Sequence, residues 1–363
     1  MMLTRRTVLA GAGAAAVAGA GAYVLARGPS YDDMAQSIWV SPEANGDPDL
    51  HYLVHHATLA ANSHNTQPWL FSRSGDQVTI RPDFTRATPV ADVDNHHLFA
   101  SLGCACENMI LSAEAAGRSG HARFVDSGDG HIAIDFSGGG AGRNPLFDAI
   151  IERQCTRSVY DGRPVDMKDL AALEAAAAVD GCRVVLVPDT PRVEQALELI
   201  LAANGAQVAD PDFAAELLSW LRFSAASAVR TRDGLYSGCA GNPTLPTWIG
   251  KMMFGFVFTA QAENDKYARQ IRSSAGLAVF VSDRDDKSHW VQAGRSYQRF
   301  ALQATALGIR HAFVNQPLEV AAYRPQFAAL MGVAGQRPDL IVRYGYAPPL
   351  PKSLRRPIRD VIV

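Results

Sequence analysis

The sequence predicts an α+β fold, and three observations lead there. Short β-rich runs and helical patterns intermix along the chain without a regular strand–helix–strand rhythm. Two segments 191 positions apart resemble each other. A glycine-rich stretch, "SGGGAGRN" at 137–144, separates the parts of the chain that hold them.

From the N-terminus, Thr4-Arg5-Arg6-Thr7 precedes residues 8–26, which carry no charge and are mostly Ala and Gly. A membrane span needs about 20 strongly apolar residues, and this run is only weakly apolar. Two arginines before such a stretch read as a twin-arginine export signal, with an uncleaved helical anchor as the other reading. Either places the chain in the periplasm or at a membrane. Residues 1–30 are set aside as this signal, 31–140 form a first half and 141–363 a second.

Period-2 and β-branched runs predict strands over 69–73, 77–82 and 131–137, then over 182–188, 276–282 and 339–346. Apolar residues at helical spacing predict helices over 49–61, 97–116, 144–155, 166–178, 190–204, 211–228, 261–273 and 289–307. The internal resemblance links the second and the last of these helices. Asp92, Asp94, Gly103, Leu111, Ala113, Ala115 and Gly117 align without a gap on Asp283, Asp285, Gly294, Leu302, Ala304, Ala306 and Gly308. Each copy is an acidic loop, a long helix with an internal glycine that permits close backbone approach, and a terminal glycine. The pattern predicts two related halves, as if an ancestral dimer had been fused.

Composition excludes several classes. The chain is 48% hydrophobic and 19% charged with a net charge of -2, which leaves no basic stripe for nucleic acid. Five cysteines form neither a disulfide framework nor a zinc spacing, and Cys104 and Cys106 project to different sides of one helix. His51 and His55 have the i, i+4 spacing of two metal ligands, but no zincin-type carboxylate lies between them, so no metal site is assigned. No nucleophile elbow or Walker loop is present.

Two stretches carry chemistry. "HHATLAANSHNTQPWLF" at 55–71 breaks a helical run with Asn-Ser-His-Asn-Thr-Gln and enters a strand through Pro68-Trp69. It reads as a helix stop and loop, or as a polar surface facing a ligand. "IIERQCTRSVYDGRPV" at 150–165 sets Arg153 and Arg157 four apart, on one face of a predicted helix end. Two guanidiniums so placed suit a phosphate, or form a solvated basic face.

Together these stretches resemble the flavin-dependent nitroreductase superfamily. The family's arginine segment matches Arg153, Cys155 and Arg157; its S-x-N-x-Q-P-W loop matches Ser63, Asn65, Gln67, Pro68 and Trp69. The two lie in opposite halves, as a fused dimer requires. Segments 232–238, 311–332 and 338–357 narrow the resemblance to the Acg-like branch of single-chain, duplicated members. The resemblance implies a nitroreductase-like fold duplicated within one chain, a monomer acting as an internal pseudo-dimer. It implies noncovalent FMN, hydride transfer from NAD(P)H and a nitroaromatic, quinone or similar acceptor. Arg153 and Arg157 would hold the phosphate; Ser63, Asn65 and Gln67 would orient the ring, and Trp69 would pack beneath in the core.

The sequence departs from the family at three places. Cys155 stands where Ser is usual, and Thr156 is the alternative hydroxyl. The glycine-rich turn near the flavin is replaced by "FVNQPLE", which makes Asn315 and Gln316 candidates. Residues 210–260 are an insertion whose portion 245–258 reads either as a lid over the flavin or as a helix completing the core. A closed lid would make the chain an FMN-binding or sequestering protein with little turnover. Arg355 and Arg356 could complete the phosphate site or form a solvated basic tail.

Overall fold

The computed structural model describes residues 29–44 and 46–363, so nearly all of the proposed export signal lies outside the described residues. The chain enters through α1 (Tyr31–Ile38), held by a capping box between Ser30 and Asp33. Helix α2 (Leu50–Thr58) follows, with the Asp49 carboxylate accepting from the Tyr52 N–H. Strands β1 (Trp69–Ser74) and β2 (Gln77–Pro82) form a hairpin. Then come the 20-residue α3 (His96–Ala115) and strands β3 (Arg118–Val125) and β4 (His131–Gly138). The sheet runs β1-β2-β4-β3, antiparallel throughout.

After a single helical turn at Pro145–Asp148 and a 3₁₀ turn at Ala149–Ile151 come α4 (Met167–Ala176), β5 (Cys182–Val187) and α5 (Thr190–Ala209). The insertion then supplies α6 (Pro211–Trp220), β6 (Leu221–Arg222), α7 (Ala225–Thr231), β7 (Leu235–Tyr236) and α8 (Thr247–Val257). Next are α9 (Ala260–Arg272), β8 (Gly276–Ser282), the 20-residue α10 (Lys287–Ala306), β9 (Arg310–Phe313), α11 (Arg324–Leu330) and β10 (Pro338–Gly345). This second sheet runs β5-β8-β10-β9, again antiparallel throughout. Each sheet therefore carries a 20-residue helix between its second and third strands in sequence. Strands β8 and β10 are buried at every position because helices cover both faces, which is why 276–282 reads as an unbroken apolar run.

Helices α3 and α10 cross at the centre of the largest core cluster. A Cβ on Gly103 would lie 2.0 Å from the Val291 carbonyl oxygen, and one on Gly294 would lie 1.9 Å from that of Ala100. Exchanging each residue for its counterpart 191 positions away turns the first contact into the second. The next layer follows the same exchange: Glu107 binds Arg299 at 2.7 Å, and the Gln298 amide donates to the Asn108 oxygen at 2.7 Å. The crossing is tight because only glycine brings the two backbones this close.

The C-terminal segment returns to the first sheet: the Phe71 N–H donates to the Val361 carbonyl and the Val363 N–H to that of Phe71. Four expectations need correction. Residues 144–155 do not form one helix, because the Thr156 N–H donates to the His311 carbonyl and draws the chain along the edge of β9 as extended backbone. Residues 211–228 split at β6 into two helices. Strands β3 and β9 escape the sequence pattern, the first because it is an edge strand rich in Arg, His and Gly, the second because it has four residues.

Candidate functional site

A cavity of about 570 Å³ lies between the two long helices and the insertion. His97, Ala100, Ser101 and Cys104 of α3 line it, one or two turns apart on a single face. Tyr297 of α10, Phe313 of β9, and Asn315, Gln316 and Glu319 beyond it form the opposite side. The loop Ala61–His64 and Arg157 close one end. The insertion and adjoining helices contribute a largely apolar wall: Phe213, Leu217, Phe223, Leu245, Met253, Phe254 and Val257.

The polar loop is under backbone strain. His64, Asn65 and Gln67 all have positive φ (47°, 54° and 55°), which side-chain-bearing residues adopt at a cost of about 1 kcal/mol or more each. Contacts from distant segments hold them there. The Asn65 amide donates to the Gly234 and Leu354 carbonyls, and its oxygen accepts from Arg355. The Gln67 amide donates to the Arg232 carbonyl and accepts from the Arg356 N–H. Asn62 Oδ1 accepts from the Gln67 N–H. Asn65 and Gln67 thus clamp the insertion and the C-terminal segment and do not line the cavity, contrary to expectation; Ser63 does line it. Trp69 is fully buried in the core.

The two C-terminal arginines are neither a solvated tail nor free for a phosphate. Buried Arg355 donates to the carbonyls of Thr58, Leu59 and Ala60 and so satisfies the C-terminus of α2. Burial, with the neighbouring charge of Arg153, lowers its pKa to about 9. Arg356 pairs with Asp83 and donates to the Gln67 and Asp360 carbonyls.

Because 153–157 is extended, Arg153, Cys155 and Arg157 share a side through the two-residue period of a strand and not through a helix. Arg153 is buried and donates to the Leu59 carbonyl, yet its Nε has no partner among the described residues. The Arg157 guanidinium lines the cavity and has no hydrogen-bond or ion-pair partner among them. Cys155 sits between the two arginines. Burial raises its thiol pKa, but the neighbouring His311, Arg153 and Arg157 outweigh that and bring it to about 6. Thr156 turns inward, its hydroxyl donating to Gln154. Asn315 and Gln316 do reach the cavity wall; Asn315 accepts from the Ile341 N–H, and the buried Gln316 oxygen lacks a partner among the described residues.

Sequence reasoning missed His64, His97 and Glu319. His64 is held to about pKa 4 by burial, then by the charges of Arg157 and His97. Burial lowers the His97 pKa and raises that of Glu319, 3.7 Å away. The His97 Nε2 has no partner among the described residues. A buried Asp92-His96-His97 group lies nearby, with the Asp92 oxygens accepting the His97 and Leu98 N–H groups at the start of α3. The "DNHH" sequence before a long helix was the available signal. The site thus offers an unpaired cation and several unpaired donors and acceptors on one side, and an apolar wall on the other.

No family model matches the chain. It is 26% identical over 325 residues to two provisionally named NAD(P)H nitroreductases from Mycobacterium tuberculosis strains, covering 84% of this chain and 88% of each relative. Solved structures overlap a smaller part. An FMN-bound nitroreductase from Bacteroides fragilis matches 57% of this chain and 90% of its own, at 17% identity and TM-score 0.35. The FMN-dependent nitroreductase NfnB from Mycobacterium smegmatis, in complex with NADPH, matches 56% and 87%, at 14% identity and TM-score 0.36. These TM-scores are too low for a shared fold to follow from them.

Proposed function

We propose that the chain is an FMN-dependent oxidoreductase of nitroreductase type, taking hydride from NAD(P)H and passing electrons to a nitroaromatic, quinone or similar acceptor. The observation that carries this reading is the cavity with Arg157 unpaired on its wall. The relatives named as NAD(P)H nitroreductases support it along most of the chain. The residues present fit FMN: Arg157 for the phosphate, with Arg153 beside it, and the unpartnered Gln316 oxygen and His97 Nε2 as groups for a mixed polar edge. Ser63, Asn315 and Cys155 complete the residues assigned to the cofactor; Asn65, Gln67, Thr156, Arg355 and Arg356 act behind them by fixing the walls. Bound flavin would supply the hydride chemistry, and the protein would bind, orient and exclude water.

The same reading places the chain in the Acg-like branch, as two related halves (31–140 and 141–363) working as a pseudo-dimer, exported by the twin-arginine route. The matching strand orders and the exchange-related contacts of α3 and α10 support the duplication. A second reading, FMN sequestration with little turnover, is favoured by one observation: Met253, Phe254 and Val257 of α8 wall the cavity as a lid would.

Absorbance of the purified chain with added FMN, before and after anaerobic NADPH, tests both. Flavin bands that survive desalting, vanish in Arg157→Ala and bleach with NADPH are expected of the enzyme. Bands that survive and do not bleach mean sequestration. A chain that takes up no FMN overturns both.

A further inference from the structure

We propose that the outer face of α8 docks on a lipid surface. Trp248, Met252 and Phe256 recur every four residues, so they form one stripe along the helix. They are 69%, 59% and 80% exposed. Single exposed apolar residues are ordinary, but three on one face of a helix form a patch that water does not favour. The helix needs no such stripe to stay folded, because its other face is already packed: Gly250 lies against Phe223, and Phe254 stacks on Phe258 at 4.7 Å.

Charge and chain path point to lipid as the occupant. From 234 to 258 the only charged residue is Lys251, exposed on α8 itself. A lysine on an apolar helix keeps its stem in the interface and its ammonium among anionic headgroups, and the segment 234–258 has no carboxylate to be repelled. The N-terminal segment enters the folded body at the same insertion. Tyr31 stacks on Tyr236 at 4.5 Å and its hydroxyl lies 3.1 Å from Cys239 Sγ. The insertion in turn joins α8 to α7 through Ser224 and Thr247, whose hydroxyls are 3.3 Å apart. Tyr31, the first helical residue after the uncharged run 8–26 of the sequence, thus joins the body at the insertion that carries α8. Read as an uncleaved anchor, that run would bring the chain to a bilayer. A protein partner on α8 would account for the stripe but not for this convergence.

Docking so would put the bilayer about one helix diameter, roughly 10 Å, from the cavity that the inner face of α8 lines.

The test uses the full chain with vesicles of phosphatidylcholine and phosphatidylglycerol carrying brominated acyl chains. Tryptophan emission reports the contact: Trp39, Trp69 and Trp290 are buried and Trp220 is half-buried, and the comparison with Trp248→Phe isolates the signal of Trp248. Brominated vesicles should quench the wild type, and most of that quenching should disappear in Trp248→Phe. Phe256→Glu should weaken vesicle binding about tenfold or leave Trp248 unquenched where residues 8–26 alone hold the chain to the vesicle. Flotation with equal quenching in wild type and Trp248→Phe would overturn the proposal. So would a concentration-dependent dimer that shields Trp248 without vesicles and is unaffected by them, because the stripe would then join two copies of the chain.

Discussion

Replacing Gly103 by Ala adds one methyl group where α3 and α10 cross. That carbon would stand 2.0 Å from the Val291 carbonyl oxygen, against an ordinary carbon–oxygen approach of about 3.3 Å. The obstacle is backbone on a second buried helix, so no side chain can swing aside; the crossing must open by more than about 1 Å. A gap of that size forfeits about a quarter to a half of each dispersion contact along the seam. Overpacking of this kind costs about 1–3 kcal/mol, sometimes more, and better helix propensity returns up to about 1. We expect a net loss of about 1–2 kcal/mol, read as a thermal midpoint lower by roughly 2–4 °C. Gly205→Ala is the control: Gly205 lies within α5, and nothing stands within 4 Å of the added carbon. It should be neutral or stabilising by up to about 1 kcal/mol. The double variant Gly103→Ala, Gly294→Ala should lose less than the sum of the single losses, because one opening relieves both clashes. A Gly103→Ala chain as stable as the Gly205→Ala control would refute the reasoning, and full additivity would show that the two contacts are independent.

Glu107→Gln should cost about 2–3 kcal/mol in urea unfolding, since the buried carboxylate binds Arg295 at 2.9 Å and Arg299 at 2.7 Å, and both arginines still reach water. Alkylation of Cys155 by iodoacetamide, followed by mass spectrometry, should be half-maximal near pH 6 and shift upward in Arg157→Ala, which removes one of the charges that favour the thiolate. Unchanged titration in that variant would count against the shared face of the extended segment. His56 donates from Nδ1 to the Tyr52 carbonyl and faces Ser41 with Nε2, and burial holds its pKa to about 4. The unfolded chain binds the proton more readily, so stability falls as pH drops from about 6.5 towards 4. The loss at pH 5 is about 2 kcal/mol, and urea midpoints in His56→Gln should show a shallower pH slope.

Local pattern carried much of the architecture. The long helices were legible because their apolar period spans five turns and each ends near a glycine, Gly117 or Gly308, with positive φ. Strands β8 and β10 were legible because burial on both faces makes every residue apolar or pairs it. Both arginines of 153–157 were visible as a pair, but the reason they share a side was not. Helix or strand at that point depends on the free edge of β9, more than 150 residues away.

The sequence by itself determined the α+β class, the repeated helix with its internal glycine and the polar character of the loop before Trp69. Only the tertiary structure decided which polar groups face the cavity. Asn65 and Gln67 turn away because Gly234, Leu354, Arg232 and Arg356 take up their hydrogen bonds, and Arg355 is spent on the end of α2. His97 and Glu319 meet there although 222 positions separate them. Spacing along a chain sets the direction of a side chain within a regular element. In a loop held at positive φ, that direction belongs to whichever distant partners satisfy its amides.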